Sequence, residues 1–178
     1  MKTVLIIDDE KDVADVVKTA IEEGIAGSAC TIELDFGNSA ERIKGLCPDA
    51  IVLDLMEGHQ STHLPGQSTW RSVWESTFCP IVIYTGSDAD LQPPVPPNHP
   101  FVKRIQKGAG TQSQVVAALN GFAPAVQSVS TLRAEVNAVI HKVLRDTAGD
   151  GHLPMNDASH LLHAGRRRIA ASMDDPTL

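Results

Sequence analysis

The chain has 178 residues and a formal net charge of −7, and 42% of its residues are hydrophobic while only 4% are aromatic. A chain of this length can build one aliphatic core with an appendage, or two small domains. The longest apolar runs, such as 4–7 and 51–53, are too short to cross a membrane, and acids follow the first run at once, unlike in a signal peptide. The three cysteines form no CxxC pair, which argues against a disulfide framework or a zinc finger and predicts a cytoplasmic protein.

Charge is distributed unevenly between two parts of the chain. Residues 1–122 carry 9 Lys+Arg against 16 Asp+Glu, a net charge of −7, whereas residues 123–178 carry 6 of each and are neutral. A negatively charged surface repels a phosphate backbone. The acidic part therefore argues against a nucleic-acid partner.

Short apolar runs alternate with helical patterns through the acidic part. Continuous apolar runs and strict apolar–polar alternation indicate strands, whereas apolar residues three and four positions apart indicate helices. The patterns predict five strands, at 4–7, 30–35, 50–55, 81–85 and within 101–107. Helices are predicted between and after them: through 13–21, beginning near Asn38-Ser39, and through Val115, Val116 and Leu119. Another helix is predicted between the third and fourth strands, where Trp70, Val73, Trp74 and Phe78 share a face. Repeated strand–helix units are typical of an α/β domain.

Unbroken Val, Ile and Leu runs indicate strands that are covered on both faces, as in a parallel sheet. The helices between them supply the right-handed crossovers that such a sheet requires, so we predict a doubly wound sheet of five strands. Residues 88–100 contain five prolines, which lack an amide hydrogen and have a fixed φ. The fourth connection is therefore predicted to be an extended, polyproline-like strap, after a turn of helix at 88–91, in place of a normal crossover helix.

Polar residues stand where the predicted strands end. They are Asp8 and Asp9 after the first strand, Asp54 at the third, Thr85 at the fourth and Lys107 after the fifth. Functional groups of open parallel sheets gather beyond the carboxyl ends of the strands. Three neighbouring carboxylates repel one another, and Mg²⁺ relieves that repulsion. One carboxylate can then act as a nucleophile toward a phosphoryl group, while the hydroxyl and ammonium stabilise its oxygens. The set suits phosphoryl transfer to an aspartate.

At these positions the chain resembles the response-regulator receiver domain. Four motifs carry the resemblance, in order: VLIIDDE at 4–10, IVLDLMEG at 51–58, IYTGS at 83–87 and IQKG at 105–108. The resemblance covers residues 1–122 and implies a flavodoxin-like sheet with strand order 2-1-3-4-5. It also implies a phosphoacceptor of two-component signalling, not an enzyme.

The resemblance assigns roles to the acidic residues. Asp54 would accept phosphate from a phosphohistidine on a sensor histidine kinase or a histidine phosphotransfer protein. Asp9, Asp54 and the backbone carbonyl of Met56 would bind Mg²⁺ directly, and Asp8 would act largely through a bridging water. Thr85 would hydrogen-bond the phosphoryl group and shift on phosphorylation.

Lys107 would pair with that phosphoryl group. Lys103 competes for this role, but it lies inside the predicted strand, whereas Lys107 lies at its end, where such sites form. Two departures from the family are Glu57, where a proline is usual, and Arg104, at a position usually held by a switching aromatic. Together with the proline strap, they indicate that the phosphoacceptor site is intact. The surface through which the family usually signals, formed by the fourth helix, fifth strand and fifth helix, is expected to differ.

Residues 123–178 are predicted to form a helical extension. Gly121 to Pro124 is predicted to break the chain between the first domain and this extension. Pro124 suits the first turn of a new helix. An apolar seam with 3-4 spacing then predicts one arm of a helical hairpin and a homodimer contact; its members are Val129, Leu132, Val136, Val139 and Val143.

Three further patterns in this extension have simpler interpretations. Residues 146–157 resemble a calcium loop, but Ala148 replaces a ligand and the bidentate Glu is missing. His160 and His163 suit a polar helix face better than a metal site. Arg166, with the two arginines after it, could touch phosphate, but the ten-residue loop before this helix is too long for a helix-turn-helix.

Three functions remain in competition. The first is a phosphoacceptor signalling module, and the second is a receiver-like adaptor that binds without phosphorylation, which Glu57 and the altered fourth helix favour. The third is a haloacid-dehalogenase-like phosphatase, which needs a second Asp two residues after its nucleophile. Glu10 follows Asp8 and Met56 follows Asp54 at that spacing, so the phosphatase ranks last.

Overall fold

The computed structural model describes residues 1–58, 63–76 and 79–147. Strands and helices alternate up to the fourth strand, and the fifth strand follows it without a helix between them. The elements are β1 (Thr3–Ile7), α1 (Lys11–Gly24), β2 (Ala29–Glu33), a 3₁₀ turn (Phe36–Asn38), α2 (Ser39–Leu46), β3 (Ala50–Leu53), α3 (Gly66–Ser76), β4 (Ile81–Thr85), β5 (Val102–Gln106) and α4 (Gln112–Thr147).

All five strands are parallel and lie in the order β2-β1-β3-β4-β5, which confirms the predicted fold and strand order. β3 and β4 are buried along their whole length, and β1 is buried after its first residue. Their unbroken apolar sequences reflect this burial on both faces. The edge strands β2 and β5 are only partly buried, which explains why their sequences include polar residues.

The core has two halves, one on each face of the sheet. On one face, Ile6 and Val52 pack with Ile21 of α1 and Leu119 of α4. On the other face, the neighbouring strand residues pack with α2, α3 and the strap, and the members include Leu5, Leu53, Ile43, Trp70, Val73 and Leu91. Because successive side chains of a strand point to opposite faces, the parallel core strands supply both halves.

The connection between β4 and β5 contains no helix, as the prolines predict. The predicted helical turn at 88–91 is wrong, because these residues are in neither a helix nor a strand. The carboxamide of Gln67 explains the difference: its Nε2 donates to the carbonyl of Asp90 (2.8 Å), and its Oε1 accepts from the amide of Gln92 (3.0 Å). The amide of Gln92, which would bond to Asp88 to close a helical turn, is thereby bonded to Gln67 instead.

The predicted break at Gly121 to Pro124 is also wrong, because α4 runs through both residues. Proline removes one intrahelical hydrogen bond. Phe122 and Val126 lie on either side of Pro124 and are buried, so packing of the apolar stripe outweighs that loss. The first compact unit of the chain is Met1–Gln127, five residues longer than the predicted domain 1–122.

The second compact unit is Ser128–Leu178, and its described residues up to 147 are helical, as predicted for the first arm of the hairpin. The predicted second arm lies outside the described residues. So do the calcium-like loop after Thr147, the histidines His160 and His163, and the arginines at 166–168.

One helical segment, Gln112–Val136, is long and apolar enough by length and composition to cross a membrane. Its apolar stripe includes Val115, Leu119, Phe122 and Val126, all buried in one half of the core. Core helices of globular domains pass the same test, and these four residues pack as the apolar stripe of such a helix does.

Candidate functional site

Asp8, Asp54 and Lys107 meet at the carboxyl end of the sheet, directly after β1, β3 and β5. The Nζ of Lys107 lies 2.6 Å from Oδ2 of Asp54 and 2.8 Å from Oδ2 of Asp8. The side chains of Asp8 and Asp54 are only 3% and 4% exposed. A half-buried lysine therefore bridges two buried carboxylates.

Asp9 completes an acidic cluster. One carboxylate oxygen from each of Asp8, Asp9 and Asp54 lies within 4.8 Å of the others. Oδ2 of Asp9 accepts a hydrogen bond from the amide of Gly58 (2.7 Å), while Oδ1 is buried and has no hydrogen-bond partner among the described residues. A buried acceptor without a donor needs water or a cation. The three residues can therefore hold a hard divalent cation.

The electrostatics of the cluster favour added positive charge. Burial, with a smaller contribution from the negative charge of Asp54, raises the pKa of Asp8 to about 6, even though the hydrogen bond and charge of Lys107 oppose the rise. Burial opposes the charge of Lys107, but its bonds to Asp54 and Asp8 outweigh burial and raise its pKa. The site thus contains one ammonium and three carboxyl groups, so a bound cation would reduce the repulsion among the carboxylates.

Asp54 remains reachable despite its burial. It lines an open cavity of about 580 Å³ together with Met56, Gly58, Gly86 and Lys107. Met56 lies beside the acidic cluster, and its amide donates to Oδ1 of Asp54 (3.1 Å). A small phosphodonor can enter this cavity from solvent.

Thr85 ends β4 and is fully buried. Its Oγ1 accepts a hydrogen bond from the amide of Ser87 (3.2 Å), and its carbonyl accepts one from the amide of Lys107 (2.9 Å). Thr85 does not line the cavity, although the backbone of Lys107 ties it to the site.

The structure places Lys107, not Lys103, at the acidic cluster. Lys103 lies within β5, in register with Val82 of β4, and is exposed. Arg104 donates a hydrogen bond from its guanidinium to the carbonyl of Ser87. Arg104, which stands where the resemblance expects a switching aromatic, therefore holds the loop after β4 by a hydrogen bond.

Glu57 lies in the loop that follows the acidic cluster. Its carboxylate pairs with Nε2 of His63 (2.8 Å), and both side chains are exposed. Its amide donates to the carbonyl of His63 (3.3 Å). The carboxylate of Glu57 thus has a partner of its own near the cavity mouth.

Gly66 is a positioning residue that the sequence did not reveal. A Cβ at this position would lie 2.1 Å from the carbonyl oxygen of Asp54 and 2.6 Å from Cα of Leu55. Its amide donates to the carbonyl of Leu55 (3.3 Å). The first residue of α3 therefore packs directly against the backbone of Asp54, and only glycine fits there.

We expect Gly66→Ala to lower the free energy of unfolding by about 1–3 kcal/mol, because the added methyl group must displace backbone on one side or the other. Gly45→Ala is the matched control, since Gly45 lies in α2 with nothing within 4 Å of an added Cβ. The control should gain about 0.5–1 kcal/mol. Urea unfolding of both variants measures the difference, and equal changes would contradict the tight packing at Gly66.

Neither a protein-family model nor a curated protein matches the sequence. Solved structures do match. A CheY-like response regulator receiver domain protein from Methanospirillum hungatei JF-1 has a TM-score of 0.56 and 14% identity over 72% of this chain and 98% of its own. A response regulator receiver protein from Sinorhizobium medicae WSM419 has a TM-score of 0.54 and 22% identity over 70% and 96%.

A third similar structure is the N-terminal domain of a response regulator/sensory box/GGDEF protein from Carboxydothermus hydrogenoformans. Its TM-score is 0.53, with 17% identity over 73% of this chain and 98% of that domain. Each match covers nearly the whole of a receiver domain, and the strand order agrees with the one that the resemblance implies. The chain therefore has the fold of a response-regulator receiver domain.

Proposed function

We propose that this chain is a two-component signalling protein that accepts a phosphoryl group on Asp54 from a phosphohistidine donor, in a reaction that needs Mg²⁺. The observation that carries the proposal is the ammonium of Lys107 held 2.6 Å from Asp54, beside a buried oxygen of Asp9 with no hydrogen-bond partner. The donor would be a sensor histidine kinase or a histidine phosphotransfer protein.

The reaction follows from the placement of these side chains. A carboxylate oxygen of Asp54 attacks phosphorus from the cavity side, and an O–P bond forms as the P–N bond to the imidazole of the donor breaks. Lys107 holds the attacking carboxylate and then pairs with the transferred oxygens. Asp9, Asp54 and the carbonyl of Met56 would hold Mg²⁺ directly, and Asp8 would act largely through a bridging water; the cation would supply positive charge against the phosphoryl oxygens.

Incubation with Mg²⁺ and acetyl phosphate tests the proposal. Intact mass spectrometry should show one added phosphoryl group on the chain and none on Asp54→Asn. EDTA should abolish the adduct. A chain that forms no adduct, or an Asp54→Asn variant that forms an equal one, would contradict the proposal, and the first result would leave a receiver-like adaptor as the better account.

The proposed protein works as a homodimer through the helix of its second unit. Val129 and Val136 are half-buried members of the apolar seam within the described part of that helix. A seam with heptad spacing buries its apolar side chains against a second helix.

Light scattering should therefore give twice the chain mass of 19.0 kDa. Val136→Asp places a charge in the seam and should return the mass to that of one chain. Ala134→Asp, at an exposed position of the same helix, should not. A wild-type mass of one chain would refute the dimer.

A further inference from the structure

The strap between β4 and β5, residues 86–101, is fastened to one side of α3. Gln67 makes two hydrogen bonds to it through one carboxamide, at Asp90 (2.8 Å) and Gln92 (3.0 Å). One turn further along α3, Nε1 of Trp70 donates to the carbonyl of Pro93 (2.9 Å). Two consecutive turns of a single helix thus hold three backbone groups of the strap.

Apolar packing reinforces these bonds. Trp70 is fully buried, and Leu91 of the strap is buried in the same half of the core, with Val95 packed against it. The ring of Trp74 lies 5.0 Å from that of Trp70 and 5.2 Å from that of His99 at the far end of the strap. The strap therefore sits on α3 along its length, where a displacement of α3 would move it.

The same helix abuts the proposed phosphoacceptor. Gly66, immediately before Gln67, leaves no room for even a methyl group against the carbonyl oxygen of Asp54. Interiors packed this closely transmit small displacements to their neighbours. A shift in the backbone of Asp54 is thus passed through Gly66 to the residue that holds the strap.

The other end of the strap is joined to the site through Thr85. The amide of Ser87 donates to the hydroxyl oxygen of Thr85 (3.2 Å), and Arg104 holds the carbonyl of Ser87. The start of the strap is therefore fastened to β4 and β5, the strands that end beside Asp54. A phosphoryl group on Asp54 would bring about −1.5 to −2 charge and three strong acceptor oxygens.

We propose that the strap is the segment that registers phosphorylation of Asp54, and that Gln67 is the positioning residue that couples it to the site through α3. This inference rests on the proposed phosphorylation. The surface that would change on phosphorylation is therefore the exposed side of the strap, which includes Pro94, Pro96 and Pro97, and not the face of a helix.

Fluorescence of Trp70 reports on the strap, because Trp70 donates a hydrogen bond to it. Trp70 and Trp74 are the two tryptophans of the chain, so replacing Trp74 leaves Trp70 as the single tryptophan. In Trp74→Phe, treatment with Mg²⁺ and acetyl phosphate should shift the emission maximum of Trp70 in proportion to the phosphorylated fraction measured by intact mass. Mg²⁺ alone, and the same treatment of Trp74→Phe with Asp54→Asn, give the baseline. Adding Gln67→Ala should remove more than half of the shift at an equal phosphorylated fraction.

Gln92→Ala is the matched control, because Gln67 contacts the backbone amide of Gln92 and not its side chain. This variant should keep the full shift. Gln67→Glu retains the acceptor oxygen and loses the donor to Asp90, so it should reduce the shift even if Gln67→Ala does not fold.

An adduct without a change in Trp70 emission would overturn the inference and leave the proposed function intact. A full shift in both Gln67 variants would overturn the role of Gln67. If intact mass shows no adduct, the proposed function is contradicted, and so is the inference that rests on it.

Discussion

Lys107→Met is expected to lower the free energy of unfolding by about 3–5 kcal/mol at neutral pH without divalent cations. The substitution leaves Asp8 and Asp54, both almost fully buried, without the ammonium that bridges them. For a chain of this size the melting temperature should fall on the order of 10 °C. Thermal unfolding followed by circular dichroism measures the change.

Lys103→Met is the matched control, because Lys103 lies on β5, the strand that Lys107 follows, and is exposed. It should change stability by less than about 0.5 kcal/mol. Mg²⁺ should raise the melting temperature of Lys107→Met more than that of the wild type, since the cation replaces the missing positive charge. Equal stability of the two lysine variants would contradict the bridging role of Lys107.

Asp8→Asn is expected to have the opposite effect and to stabilise the cation-free protein. The pKa of Asp8 is raised from 3.8 to about 6 in the folded state. The folded chain then binds this proton more tightly than the unfolded chain, so ionisation of Asp8 removes stability as pH rises from about 4 to about 6. At neutral pH the loss approaches 3 kcal/mol, taking about 1.36 kcal/mol for each pKa unit.

Urea unfolding in EDTA at about pH 4 and about pH 7.5 tests this sign. Asp8→Asn should match the wild type at the lower pH and exceed it at the higher pH. Saturating Mg²⁺ should reduce the difference by stabilising the wild type, because the cation favours the ionised carboxylate. An Asp8→Asn variant less stable than the wild type at the higher pH would show that the carboxylate contributes more through Lys107 than its burial costs.

Local sequence patterns predicted the fold and brought together most of the candidate site. Val4 to Ile7 and Ile51 to Leu53 are unbroken apolar runs because β1 and β3 are covered on both faces. Parallel strands end at one edge of the sheet, so residues that follow different strands, such as Asp8, Asp54 and Lys107, meet in space.

The differences arise where tertiary contacts override local preference. Pro124 favours a helix start, but buried Phe122 and Val126 keep α4 continuous through it. Asp88 to Leu91 could begin a helix, but Gln67, more than twenty residues earlier, hydrogen-bonds the backbone of Asp90 and Gln92.

The close approach of Gly66 to Asp54 has the same origin. The sequence shows a glycine after Pro65, which is typical of any turn. Its function depends on a carbonyl oxygen twelve positions earlier, which only the folded backbone brings near.

Reduction with borohydride shows whether the carboxylate of Asp54 becomes an acyl phosphate. Borohydride converts an aspartyl phosphate to homoserine, and peptide mass spectrometry then identifies the reduced residue. After treatment with Mg²⁺ and acetyl phosphate, homoserine should appear at position 54 and nowhere else in the chain. Homoserine at position 8 or 9, or none at position 54 in a protein that carries the adduct, would contradict the account.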